Sequence, residues 1–233
     1  MASTEKRAYT SEPALIAMRE KIAELGALLF QRHLTDVAGG NLSARVGDVV
    51  CMSPRFAGSK WKWLLQPEDV LIVDLDGNIL VGSGQISREA GVHLRLHRDY
   101  GEHGTGVIHA HARNVLPFAV MGRPIPPVLE GTRKFGEISI ARYAPSHTPE
   151  IADCISEAIR GQEARIRKHA AATIGPWHGL FVIGKDIDAT FDAVERIDTA
   201  AYIVLMSGAM GATPDMATQR AALEEAIAPF ETK

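Results

Sequence analysis

Apolar runs in this chain are short and alternate with amphipathic segments in no fixed rhythm, and this pattern most limits what it can fold into. Leu15, Met18, Ile22, Leu25 and Leu29 recur at steps of three and four, with Arg19, Glu20, Lys21 and Glu24 off the stripe. That spacing predicts a helix, with Ser11 and Glu12-Pro13 as its start. Gly39-Gly40-Asn41 reads as a turn leading to a short strand near Val49 to Met52, and Val70 to Val81 as a hairpin turning at Asp76-Gly77. A helix capped by Ser87 runs towards Tyr100. A strand from Thr105 to His109, a helix from Val115 to Met121 and a strand from Ile138 to Tyr143 follow. Thr148-Pro149-Glu150 is a helix start, and Ile151, Cys154, Ile155, Ala158 and Ile159 continue its buried face. Ala171 to Gly175 and Gly179 to Ile183 supply two more strands. Asp188 opens a long helix with Phe191, Val194, Ile197, Ala201 and Leu205 inside. Helices and strands mix without a βαβ repeat, which favours an α+β or layered α/β domain over a doubly wound parallel sheet. No linker or repeat divides residues 1–233, so one domain is expected, with residues 1–13 as an N-terminal arm.

Charge and composition narrow the partners. Lys and Arg number 25 against 28 Asp and Glu, a net −3, which leaves no basic surplus to neutralise a phosphate backbone. No run approaches the ~20 apolar residues of a membrane helix. Met1 to Pro13 is polar and carries Glu5 and Glu12, unlike a signal peptide. Cys51 and Cys154 are too few for a disulfide framework and lack metal-ligand spacing. A cytoplasmic protein is expected, with a small-molecule substrate and with neither nucleic acid nor membrane as partner.

Candidate chemistry gathers at histidines. His109 and His111 end the apolar stretch Gly106-Val107-Ile108-His109-Ala110-His111. Residues two apart on a strand share a face, so both rings can reach one ion. His178 heads another apolar strand, from which it could converge on the pair. Three histidines and an open position describe a catalytic divalent-metal site; the competing reading is an accidental pair on a half-buried strand. Glu89, at the start of a helix, is either a general acid/base in that cleft or a surface carboxylate favoured by the helix dipole.

Taken in order, these residues resemble a known family. Gly40-Asn41-Leu42-Ser43-Ala44-Arg45, the Pro67-Glu68-Asp69 to Gly77 hairpin, Ser87-x-Glu89 with His93, Ile108-His109-Ala110-His111, and His178-Gly179 with Gly184 are similar to the class II aldolase/adducin series, over about residues 14–210. The resemblance implies a three-layer α/β/α domain with a central, mostly antiparallel sheet, and a homotetramer with sites near subunit interfaces. It implies a carbon–carbon lyase in which His109, His111 and His178 hold a divalent metal and Glu89 is the acid/base. Three histidines by themselves suit zinc, while the resemblance implies manganese. A non-catalytic, adducin-like module is the alternative, disfavoured because all four residues are present.

Departures from the family's sugar-phosphate aldolases bear on the substrate. Those enzymes hold phosphate with a short Ser/Thr-Gly loop and a Ser-Ser pair ahead of the glutamate. Here Ser53-Pro54 leads into the longer, more basic stretch Arg55-Phe56-Ala57-Gly58-Ser59-Lys60-Trp61-Lys62, and Arg88 stands where the second Ser would be. Trp177 replaces an Asn before the third histidine, and Pro124 to Gly136 contains no tyrosine proton donor. Arginine forks match carboxylates as well as phosphates. The resemblance therefore implies a flat, carboxylate-bearing substrate, with Asn41, Ser53, Arg55, Ser87, Arg88 and Trp177 binding it. The expected reaction is decarboxylation of a hydroxylated aromatic dicarboxylate, such as 3-hydroxy-2-methylpyridine-4,5-dicarboxylate of vitamin B6 degradation. Retro-aldol cleavage or dehydration of a sugar phosphate is the alternative. Equally, Arg88 could serve only a surface ion pair and Trp177 could only fill core. His93 is expected to pack or support the site rather than ligate, His33, His97, His103 and His169 to be solvated, and His147 to sit in a loop within possible reach of substrate.

Overall fold

In the computed structural model, which describes residues 9–209 and 216–230, eight strands form one sheet. The strands are β1 (Asn41–Val46), β2 (Val49–Met52), β3 (Leu71–Val73), β4 (Ile79–Val81), β5 (Gly106–Ala110), β6 (Ser139–Ile140), β7 (Ala170–Gly175) and β8 (Gly179–Gly184), in the order β4-β3-β2-β1-β5-β8-β7-β6. All pairings in the sheet are antiparallel except β6 with β7. The helices are α1 (Pro13–Gln31), α2 (Ala57–Trp61), α3 (Ala90–Tyr100), α4 (Leu116–Met121), α5 (Pro149–Ile159), α6 (Glu163–Lys168), α7 (Ile187–Ala209) and α8 (Met216–Ile227).

Strand alternation sorts the sheet into two apolar faces. Leu42, Ala44, Ile108, Ala110, Leu180 and Val182 pack against Leu15, Ile22 and Leu29 of α1 and Val194, Ile197 and Ala201 of α7. Val107, Ala171, Phe181 and Ile183 turn the other way, against Val92 and Leu96 of α3 and Ile151, Ile155 and Ile159 of α5. Helices on both faces of a mainly antiparallel sheet make the three-layer α/β/α arrangement. No helix among the described residues is long and apolar enough to cross a membrane.

Local departures from the sequence expectations have identifiable causes. Gly39-Gly40-Asn41 is not only a turn: β1 begins at Asn41 and lies at the centre of the sheet. Its Ser43 and Arg45 alternate with Leu42, Ala44 and Val46, so no apolar run announces it. The strand expected over Ile138 to Tyr143 shrinks to Ser139–Ile140. Residues 1–8 of the expected N-terminal arm lie outside the described residues, and Tyr9 already packs against the core. Thr148 precedes α5 without capping it, because its hydroxyl donates to the Pro145 carbonyl at 2.8 Å. His97, expected in solvent, is fully buried one turn after His93. The Ser43 hydroxyl lies 2.6 Å from His93 Nδ1 and 2.8 Å from His97 Nε2, tying α3 to β1.

Candidate metal centre and active site

β5 carries the centre of the site. Val107 faces the α3–α5 layer, so by alternation His109 and His111 face that side too. His109 stands in register with Asn41 of β1 and Phe181 of β8, and its ring stacks on Phe181 at 4.2 Å. The turn between β7 and β8 brings His178 alongside, its ring centroid 4.7 Å from that of His109. One nitrogen from each of His109, His111 and His178 lies within 4.8 Å of the other two. Two glycines permit this crowding. A Cβ on Gly39 would fall 1.9 Å from His111 Cε1, and one on Gly179 would fall 2.7 Å from the Ala110 carbonyl oxygen.

The remaining ring nitrogens are tied down. His109 Nδ1 lies 3.0 Å from the Leu180 carbonyl, and His111 Nδ1 lies 3.3 Å from Asp36 Oδ2. Both partners only accept, so each Nδ1 carries the proton and each Nε2 keeps a free lone pair. His178 Nδ1 lies 3.3 Å from the Ser146 hydroxyl. Burial, reinforced by the His178 and His111 rings, pushes His109 well below the usual imidazole value, and burial, with His111 and His147, pushes His178 down to about 4. Neutral rings are the ligating form. His111 Nε2 is buried with no hydrogen-bond partner, an orphan that a cation would satisfy. An outer carboxylate or carbonyl on the second nitrogen of a ligating histidine is the usual support of a metal site, so the residues fit a divalent ion.

The triad opens into a cleft of about 260 Å³ that is also lined by Gly39, Asn41, Arg55, Ser87, Arg88 and Glu89. Glu89, just ahead of α3, is 5% exposed, and neither of its carboxylate oxygens has a well-formed hydrogen bond. Asn41 Nδ2 donates to the Ser87 hydroxyl at 2.9 Å, which leaves its Oδ1 buried and unbonded. The Arg55 guanidinium lies 4.6 Å over the exposed Phe56 ring, and its Nε is likewise buried without a partner. Arg88 is exposed on the cleft wall.

Two residues expected at the substrate are not in this cleft. Ser53 is fully buried and its hydroxyl accepts the Leu42 amide at 3.0 Å, which joins β1 to the end of β2 and withdraws it from any ligand. Trp177 is 68% exposed and projects away from the lining, its ring edge-on to Tyr143 at 5.2 Å. It neither walls the cleft nor fills core, because its positive φ of 54° at the tight turn aims the side chain outward.

Residues 20–205 match the family described as Class II Aldolase and Adducin N-terminal domain. The chain belongs to the class II aldolase/adducin family. It is 27% identical to an L-fuculose phosphate aldolase of Methanococcus maripaludis over 177 residues, 76% of this chain and 89% of the relative. It is 28% identical to a 5-deoxy-D-ribulose 1-phosphate aldolase of Bacillus thuringiensis serovar kurstaki, covering 83% and 86%. A 3-oxo-tetronate 4-phosphate decarboxylase of Haemophilus influenzae is 24% identical, covering 83% and 90%. Among solved structures, an L-fuculose 1-phosphate aldolase superposes with a TM-score of 0.73 over 88% of this chain and 95% of its own, at 22% identity, a likeness of fold. The relatives' names include both aldolases and a decarboxylase, so lyase activity is the common denominator.

This class II aldolase/adducin chain adds one site residue that sequence reasoning did not single out, Asp36, and gives His147, expected only in a loop within possible reach of substrate, a defined partner. Asp36 holds His111 through Oδ2 while its Oδ1 accepts the Ala38 and Gly39 amides at 2.7 and 2.8 Å. Burial opposes its ionisation, but the Gly39 amide, His111 and the Ala38 amide outweigh that and hold the carboxyl below the ordinary range. An Asp two and three residues ahead of small residues is an Asx-turn signal that could have marked it. His147 sets its Nδ1 2.6 Å from Glu89 Oε1 at the cleft rim, and no local pattern foretells that contact.

Proposed function

We propose that the protein is a divalent-metal-dependent carbon–carbon lyase whose best substrate is a hydroxylated aromatic dicarboxylate such as 3-hydroxy-2-methylpyridine-4,5-dicarboxylate, from which it releases carbon dioxide. One observation carries the reading: the His109, His111, His178 triad and the buried Glu89 line one cleft with two arginines, Arg55 and Arg88. Held by the three histidines, a zinc or manganese ion would supply Lewis-acid stabilisation of the electron pair left when the carbon–carbon bond breaks. Arg55 and Arg88 hold the carboxylate that is retained, Phe56 beside Arg55 offers a flat apolar face, and Asn41 Oδ1 accepts from a ring hydroxyl. Glu89 protonates the carbon that loses carbon dioxide, a role suited to a carboxyl shielded from water.

A second reading, retro-aldol cleavage of a sugar phosphate, is favoured by the aldolase relatives, and the same arginines would then meet a phosphate. Carbon dioxide release from 3-hydroxy-2-methylpyridine-4,5-dicarboxylate and dihydroxyphthalates, run beside retro-aldol assays on fuculose and ribulose phosphates, separates the two. Efficient cleavage of a sugar phosphate with no decarboxylation of any ring acid overturns the first reading. Arg88→Ser should raise the KM for the dicarboxylate about fivefold, the equivalent of about 1 kcal/mol for an ion pair formed at an exposed position. We further propose a homotetramer with sites near its interfaces, supported by the exposed Tyr143 and Trp177 rings, which meet edge-on next to His178, and by the exposed Val120 and Met121, which follow Ala119, whose carbonyl accepts the Trp177 amide at 3.1 Å. An active monomer in sedimentation would contradict it.

A further inference from the structure

We propose that His147 is the proton partner of Glu89, a positioning residue that carries protons between bulk water and the buried carboxylate; this rests on the reading of Glu89 as the acid. Glu89 is nearly sealed, with 6% of its side chain exposed, while His147, whose Nδ1 lies 2.6 Å from Glu89 Oε1, is 39% exposed. The imidazole thus spans from carboxylate to solvent. It also forms part of the wall between the triad's cleft and a neighbouring groove beside Arg95 and Arg98, so water reaches it from two sides. The backbone is arranged to present it. His147 has φ +66°, a left-handed conformation that favours glycine or asparagine, and the bond from the Thr148 hydroxyl to the Pro145 carbonyl closes the turn around it. Strain of this kind at a site persists where the surroundings enforce it.

Proton accounting gives the pair its work. In decarboxylation one carbon–carbon bond breaks, carbon dioxide leaves, the electron pair stays on the ring carbon, and one carbon–hydrogen bond forms with the proton of Glu89. The resulting carboxylate takes a proton from the His147 imidazolium, and neutral His147 takes its replacement from water. One solvent proton is consumed in each turnover. Retro-aldol cleavage releases a hydroxyl proton as it protonates carbon and needs no net delivery, so a relay to a sealed carboxylate serves the first reaction specifically.

The experiment compares wild type, His147→Gly, His147→Asn, Glu89→Gln and the Glu89→Gln/His147→Asn double variant, each as the purified, metal-loaded assembly. His147→Gly should lower kcat about 10²-fold while KM stays within about twofold. Its metal content should be unchanged. Millimolar imidazole should restore a substantial part of the lost rate in His147→Gly and none in Glu89→Gln. In melting temperature the two single substitutions should be non-additive, because they remove one pair. Near-wild-type kcat in His147→Gly, a loss that imidazole does not restore, or a rise in KM that accounts for the whole loss would overturn the proposal. If wild type turns over neither ring acids nor sugar phosphates, the functional reading fails by itself. The melting cycle then decides the pair: additive shifts overturn it, and coupled shifts sustain it.

Discussion

Asp36→Asn is the sharpest probe of the metal centre, because at nearly constant shape it removes the carboxylate charge and turns the acceptor facing His111 into a donor. The asparagine carbonyl can still accept the Ala38 and Gly39 amides, now at 2.7 and 2.8 Å, so the turn survives and folding stability should change by less than ~1 kcal/mol. The amide nitrogen, however, takes the place of Oδ2, which lies 3.3 Å from His111 Nδ1. A donor there needs an acceptor, so His111 must move its proton from Nδ1 to Nε2, the nitrogen whose lone pair the ion requires. Metal binding then demands that the tautomer be reversed against that bond. Outer partners of ligating histidines are worth about 10–100-fold in metal affinity, or about 1.4–2.7 kcal/mol. Metal-free protein prepared with a chelator and titrated with zinc and with manganese against a competing indicator gives the dissociation constants directly. Wild-type affinity in Asp36→Asn, with an intact fold, would refute the assignment of Nε2 as the ligand atom of His111.

Removing the ligands themselves, as His109→Ala, should abolish both bound metal and activity, and full metal occupancy in the triple His109, His111, His178→Ala variant by elemental analysis would sink the site. Glu89→Gln should keep fold and metal while losing ~10²–10⁴-fold in kcat; turnover near the wild-type rate would reduce Glu89 to a helix-start carboxylate. Gly39→Ala would place a methyl 1.9 Å from His111 Cε1, so metal affinity should collapse while circular dichroism stays native, and retained binding would show that the loop simply yields. Burial holds His93 and His97 at about 3, whereas unfolded histidine titrates near 6.5. Between those values the unfolded chain binds more protons, so stability falls as pH falls, by about 2 kcal/mol for each ring on going from pH 7 to pH 5. Urea unfolding that gives the same free energy at both pH values would show that these rings are hydrated or charged in the fold.

Local chemistry wrote much of the architecture into the chain. The three- and four-residue apolar spacing of Leu15 to Leu29, the Asp76-Gly77 hairpin and the β7 and β8 runs depend only on periodicity and turn preference, and each forms where the pattern predicts. His109 and His111 share a face because a strand has a period of two, whatever surrounds it. Everything that needs a partner distant in sequence was decided by packing. The burial of His97 follows from Ser43 arriving on β1 opposite α3, the withdrawal of Ser53 from a bond to Leu42, and the exposure of Trp177 from a turn whose backbone points it outward. Asp36 lies 75 residues from His111, and no spacing rule connects them until β1 and β5 pair and bring Gly39 onto the His111 ring. Side-chain types and periods are properties of short segments and can be read from one chain. Which imidazole is buried, which hydroxyl is spent inside the sheet and which carboxylate meets a histidine at the cleft rim depend on what the fold places within a few ångströms of each, and that is a property of the folded structure alone.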